Sequence, residues 1–159
     1  ASSRGRGRPS KVFVMTDSGR AQFEHSYDDL AVAALKFMAA HSGDHLVSEF
    51  ADSRAEDIER KATPFLAKRA KKIDALASFL TEQGYAASVE KRGTGEEICQ
   101  HHCPIAHVAA EYPQLCEAET QAFSRLLGTH VQRLATIAHG DGVCTTYIPQ
   151  LTTTAGKAQ

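Results

Sequence analysis

The segment CQHHCPIAHVAAEYPQLCEAETQAFSRLLGTHVQRLATIAHGDGVC, residues 99–144, contains all four cysteines of the chain, spaced Cys99-x3-Cys103-x12-Cys116-x27-Cys144. Its punctuation predicts helices and strands together. Pro104 and Pro113 stand where proline opens a helix. The first helix runs through residues 108–111, and the second carries Leu115, Ala122, Phe123, Leu126 and Leu127 before Gly128 stops it. Residues 131–138 and 143–148 read as two strands joined by a hairpin turn at His139-Gly140-Asp141-Gly142. Cys103 is then a helix N-cap, Cys116 lies in the first turn of the next helix, and Cys144 is on the second strand. Free N–H groups and the positive dipole end at a helix start favour thiolate over thiol, which readies Cys103 and Cys116 for a metal. Thiolate selects zinc, copper(I) or iron-sulfur clusters. Against this stands the reading of four inert buried thiols, since free cysteine packs like a small hydrophobe, with disulfides as a third. Structural zinc favours close cysteine pairs, and only Cys99 and Cys103 approach that form, so the spacing leans towards iron-sulfur.

Upstream of this segment the chain reads as helical. Phe23, Tyr27, Leu30, Ala34, Phe37 and Met38 recur at helical spacing before Gly43, predicting one or two helices over about 19–40. Such a helix suits packing against a second copy of itself or within one chain. Residues 46–51 suggest a separate short helix. A longer periodic segment spans about 53–83, with Gly84 as its stop, a boundary near Thr63 where Pro64 interrupts it, and Lys68, Arg69, Lys71 and Lys72 on its solvated face. Residues 85–91 have strand character, Gly93-Thr94-Gly95 is a turn, and residues 96–102 make a second strand.

Composition narrows the function classes. The 159 residues are 42% hydrophobic and carry a net charge of -1, which fits an ordinary globular chain. No apolar run is long enough to cross a bilayer, so a cytoplasmic protein without membrane contact is expected. The small net charge hides an asymmetry: residues 1–20 carry five Lys or Arg against one acid, whereas residues 96–150 carry six acids against two Arg. Arg4, Arg6, Arg8 and Lys11, with glycines between the arginines, suit phosphates and a narrow minor groove. A disordered basic tail and an AT-hook-like segment on Arg6-Gly7-Arg8-Pro9 are the alternatives. Val12-Phe13-Val14-Met15 reads as a short strand, Thr16-Asp17-Ser18 as candidate N-caps, and the opening without methionine as that of a fragment. The end from Thr152 reads as a polar tail.

Three stretches together carry a family resemblance. Cys103-Pro104-Ile105-Ala106, Glu111-Tyr112-Pro113-Gln114-Leu115-Cys116-Glu117 and Gly140-Asp141-Gly142-Val143-Cys144 resemble the SufR family of iron-sulfur transcriptional regulators. The opening, from Arg4 through Arg20, is similar to the wing and exit helix of that family's winged-helix DNA-binding domain. The resemblance implies a homodimeric repressor of iron-sulfur assembly genes that binds operator DNA when its cluster (2Fe-2S or 4Fe-4S) is present. It implies Cys103, Cys116 and Cys144 as cluster ligands, with Cys99, or a histidine such as His101, His102 or His107, completing the shell. The family's recognition helix would precede Ala1.

The expectation is therefore an α+β protein that is not an enzyme. Residues 1–20 are a wing remnant, 21–83 a helical dimerisation region, 84–150 the iron-sulfur sensor domain, and 151–159 a flexible tail. An electron-transfer or cluster-carrier protein and a zinc-stabilised interaction domain are the competing readings.

Overall fold

The computed structural model describes residues 17–150, with side chains from residue 27 onward. The expected strand at residues 12–15, the basic residues Arg4, Arg6, Arg8 and Lys11, and the tail at 151–159 lie outside the described residues. Within them the chain is α+β. Helices α1 (Asp17–Ser42), α2 (Asp44–Ala67) and α3 (Lys72–Glu82) precede strands β1 (Ala87–Arg92) and β2 (Gly95–Gln100). Helices α4 (Ala106–Glu111) and α5 (Gln114–Leu127), strand β3 (Gln132–Ala135), a 3-10 turn at Ile137–His139 and strand β4 (Cys144–Pro149) follow. The strands form one antiparallel sheet in the order β1-β2-β4-β3.

The apolar stripes explain how the helices dock. Val32 and Leu35 of α1 meet Val47, Ala51 and Ala55 of α2, together with Val108 of α4 and Leu115, Ala118 and Ala122 of α5. Small residues on α2 and α5 let these helices lie close together. A second core joins Ala62 and Leu66 of α2, Leu76, Phe79 and Leu80 of α3, Phe123 of α5, and Ile98 and Ile148 of the sheet. Both cores link residues on either side of position 84.

The helical region differs from expectation at two places. There is neither a separate helix at 46–51 nor a boundary near Thr63, because α2 runs unbroken through Pro64 to Ala67. Proline at 64 deprives only the Arg60 carbonyl of its partner, and both residues lie on the exposed face, where water substitutes. Burial of Ala62 and Leu66 on the opposite face holds the helix together. The expected solvated basic face, in turn, is mostly the connection between α2 and α3. Lys71 is extended there, and its Nζ lies 2.5 Å from Glu96 Oε1 of β2, while Arg69 donates to Ser78 Oγ at 3.0 Å. The Lys71–Glu96 pair ties this connection to the sheet.

The punctuation around the sheet is largely as expected. Gly84, at φ 92°, ends α3 while the Tyr85 N–H returns to the Leu80 carbonyl at 3.0 Å. The turn at residues 93–94 connects β1 and β2. At Gly95 an added Cβ would lie 2.5 Å from the Ile148 carbonyl oxygen, so only glycine lets β4 pair there.

Candidate metal centre

Strand pairing sorts the four cysteines onto two faces of the sheet. Gln100 stands opposite Cys144 and Ile98 opposite Thr146, so Cys144 shares the helix-covered face with the core residue Ile98. Cys99 is one residue out of phase. It stands between Ser88 and Thr145 on the opposite face, and the charges it senses there are Glu90, Glu97 and Arg92. Although Cys99 is itself buried, the sheet separates it from Cys144.

Cys103 packs against the core that holds Ile98 and Phe123, Cys116 sits on α5 one turn before Glu119, and Cys144 lies on the helix-covered face of the sheet. Each arrives from a different element. Cys103 follows β2 in the turn leading to α4, Cys116 is the third residue of α5, and Cys144 opens β4.

Two local expectations need correction. Cys103 is not the N-cap of α4. The helix starts at Ala106 with Ile105 at the cap, and Cys103-Pro104-Ile105 makes a separate turn closed by the Ala106 N–H on the Cys103 carbonyl at 3.3 Å. The Ile105 N–H still serves the Cys103 thiol, which favours its thiolate. Nor are β3 and β4 a simple hairpin. β3 stops at Ala135 because Asp141 closes the chain on Thr136, its Oδ2 accepting the Thr136 N–H at 2.9 Å and its own N–H reaching the Thr136 carbonyl at 3.1 Å. The 3-10 turn inside that loop brings the Ile137 N–H to 3.2 Å from Cys144 Sγ.

Burial overrides helix position in setting the thiol chemistry. Desolvation pushes Cys103 up to about 11, with Glu119, Cys144 and Cys116 adding to the rise against the Ile105 N–H. Cys116 also rises, through desolvation and then Glu119, despite its place in the first turn of α5, with Arg133 opposing. Its own N–H is already spent on the Pro113 carbonyl at 3.0 Å. Both therefore hold their protons at neutral pH, and a metal must displace them.

Beside the three thiols lies a buried polar network with no obvious sequence signature. Arg133 of β3 donates from Nη2 to Glu119 Oε1 at 2.9 Å, from Nη1 to Gln100 Oε1 at 3.1 Å and from Nε to Thr120 Oγ1 at 3.2 Å. Gln100 Nε2 also donates to Glu119 Oε1, at 3.2 Å, and the guanidinium lies over the Phe123 ring at 5.6 Å from its centroid. Tyr85 is raised far above the usual phenol range by burial first and by Glu119 second. The Cys116-x2-Glu119 spacing on one helix face is the one available hint, because residues three apart are neighbours there.

His101, His102 and His107 are all exposed, and His101 Nε2 is 2.9 Å from Ser88 Oγ. Among the described residues no three His, Cys, Asp or Glu side chains stand close enough to hold one metal ion. No protein-family model matches the chain, and no curated protein shows significant similarity to it. Among the described residues no helix is long and apolar enough to cross a membrane.

Proposed function

We propose that this protein is an iron-sulfur-sensing transcriptional regulator whose binding to DNA depends on a cluster held by Cys103, Cys116 and Cys144. The observation behind this reading is the sorting of the cysteines: Cys144 lies on the helix-covered face of the sheet and Cys103 packs against the core on that side, whereas Cys99 stands on the other face. N–H donors from Ile105 and Ile137 stand at two of the sulfurs, the arrangement that stabilises bound thiolate. The buried Thr146 hydroxyl, two residues from Cys144 on the same face, has no partner among the described residues and is a further donor.

The DNA-binding part of the proposal rests on Arg4, Arg6, Arg8 and Lys11, and the homodimer on α1. Tyr27, Leu30, Ala34, Phe37 and His41 lie at alternating steps of three and four along this helix and are all exposed. That is the spacing of a coiled-coil seam, on a face other than the one Val32 and Leu35 bury.

The experiment compares full-length protein, loaded anaerobically with iron and sulfide or stripped by chelator, on DNA selected by the loaded form from a random pool. The loaded protein should bind at least tenfold more tightly. Equal affinities with the cluster intact would overturn the regulatory reading and favour an electron carrier.

A further inference from the structure

We propose that the apolar groove between α1, α2 and α4 binds a medium-chain fatty carboxylate, with its alkyl chain lying along α1 and its carboxylate held by Arg54. The site draws on none of the cysteines, and it goes beyond the regulatory reading by adding a small-molecule ligand.

The lining carries the tail. Leu35 and Met38 of α1, Phe50 of α2, Val108 of α4 and Leu115 of α5 face a cavity of about 320 Å3, and of its nine lining residues Arg54 alone is charged. Small-molecule sites are built this way, from mostly apolar walls and a few placed polar groups, in volumes of about 300 Å3 upward. At the low end of that range the groove admits a single chain, not a docked helix about 10 Å across. Its α1 wall runs from Ala31 to Met38, a rise of about 10 Å, which matches an extended alkyl chain of medium length. Met38 is adaptable enough to pack against such a chain in more than one position.

Charge fixes the head. Arg54 is exposed at the edge of the groove, so its stem adds to the apolar wall while its guanidinium stays in water. It forms no ion pair among the described residues. Asp57, the acid one turn further along α2, is engaged elsewhere, with its Oδ1 at 2.5 Å from Arg60 Nη2. A carboxylate at this rim keeps much of its hydration, and both of its oxygens match the guanidinium fork. A neutral head would leave that match unused.

The test is calorimetric titration of full-length protein with hexanoate, octanoate, decanoate and dodecanoate below their micelle concentrations, with decanol as the uncharged control. Affinity should rise about fourfold per added CH2 from hexanoate to decanoate and level off once the chain outgrows the groove. Arg54→Gln should weaken decanoate binding about fivefold and leave decanol unchanged, and Arg54→Lys should recover part of the loss. Ala31→Phe, which fills the groove from α1, should abolish binding of both. No saturable heat from any of the acids, or decanoate affinity that survives both Arg54→Gln and Ala31→Phe, overturns the site. Should Ala31→Phe fail to fold, the chain-length series and the Arg54→Gln comparison decide. If no acid binds and Ala31→Phe turns a dimer into monomer in sedimentation, a second copy of the chain fills the groove and the ligand is overturned.

Discussion

Removing one partner of the Glu119–Arg133 pair strands a charge in a site where the two side chains are only 9% and 12% exposed. Glu119→Ala should therefore cost about 3–5 kcal/mol in urea unfolding, whereas Glu119→Leu with Arg133→Met should cost far less, because no buried charge is left uncompensated. Equal losses in the two would mean the pair contributes mainly packing. Cys103 makes a separate prediction about pH. Its folded-state value of about 11 lies above the roughly 8.5 of an unfolded chain, so the neutral thiol's contribution is complete below the unfolded value and is lost as pH rises through the folded one. The stability gap between metal-free wild type and Cys103→Ala should narrow between pH 8.5 and 11. A constant gap would mean the thiol is not held neutral by the fold. At this scale the cysteines were legible because their spacing survives in one dimension. The network of Gln100, Glu119 and Arg133 was not, because its members come from two strands and a helix and each is ordinary in its local sequence.

Among the elements, α1 offers the sharpest test. Leu30 and Phe37 are 66% and 63% exposed on the seam, while Val32 and Leu35 on the buried face are 8% and 4% exposed. Leu30→Asp with Phe37→Asp should convert a dimer to monomer in sedimentation while leaving far-ultraviolet circular dichroism unchanged. A dimer that survives places its interface elsewhere. Most helices and strands were readable from apolar period, proline and glycine: Gly43, Gly84 and Gly128 all end helices with positive φ. The errors arose where a tertiary contact outweighed a local signal. Pro64 failed to break α2 because its missing bond faces water, and the connection of the second hairpin lengthened into a 3-10 loop because the Asp141 carboxylate captured the Thr136 backbone. Local sequence gives no weight to either effect.

At the scale of the whole molecule, the proposed regulation would require the cysteines to act on DNA through the helices. Such a route would run from Cys116, between the buried residues Leu115 and Ala118, through the core that α5 and α4 share with α1 and α2. Two ion pairs brace the same contacts, Lys36 with Glu111 at 3.0 Å and Arg125 with Glu59, whose Nε–Oε1 distance is 2.8 Å. A hundredfold change in the DNA-competent fraction requires about 2.7 kcal/mol of coupling, which a shift of α1 within a dimer would have to supply. At the DNA end, Arg6→Ala with Arg8→Ala should weaken specific and non-specific binding alike and flatten the salt dependence by about one unit of slope per lost phosphate contact. Binding unaffected at low salt would remove this segment from the interface. Everything rests on the three thiols, so the most direct measurement is the visible absorption, with iron and sulfide content, of anaerobically purified wild type and the four single Cys→Ser variants. The account predicts a coloured protein in wild type and in Cys99→Ser, and loss of colour and iron in Cys103→Ser, Cys116→Ser and Cys144→Ser. A colourless wild type, or bleaching by Cys99→Ser with Cys144→Ser intact, would contradict it.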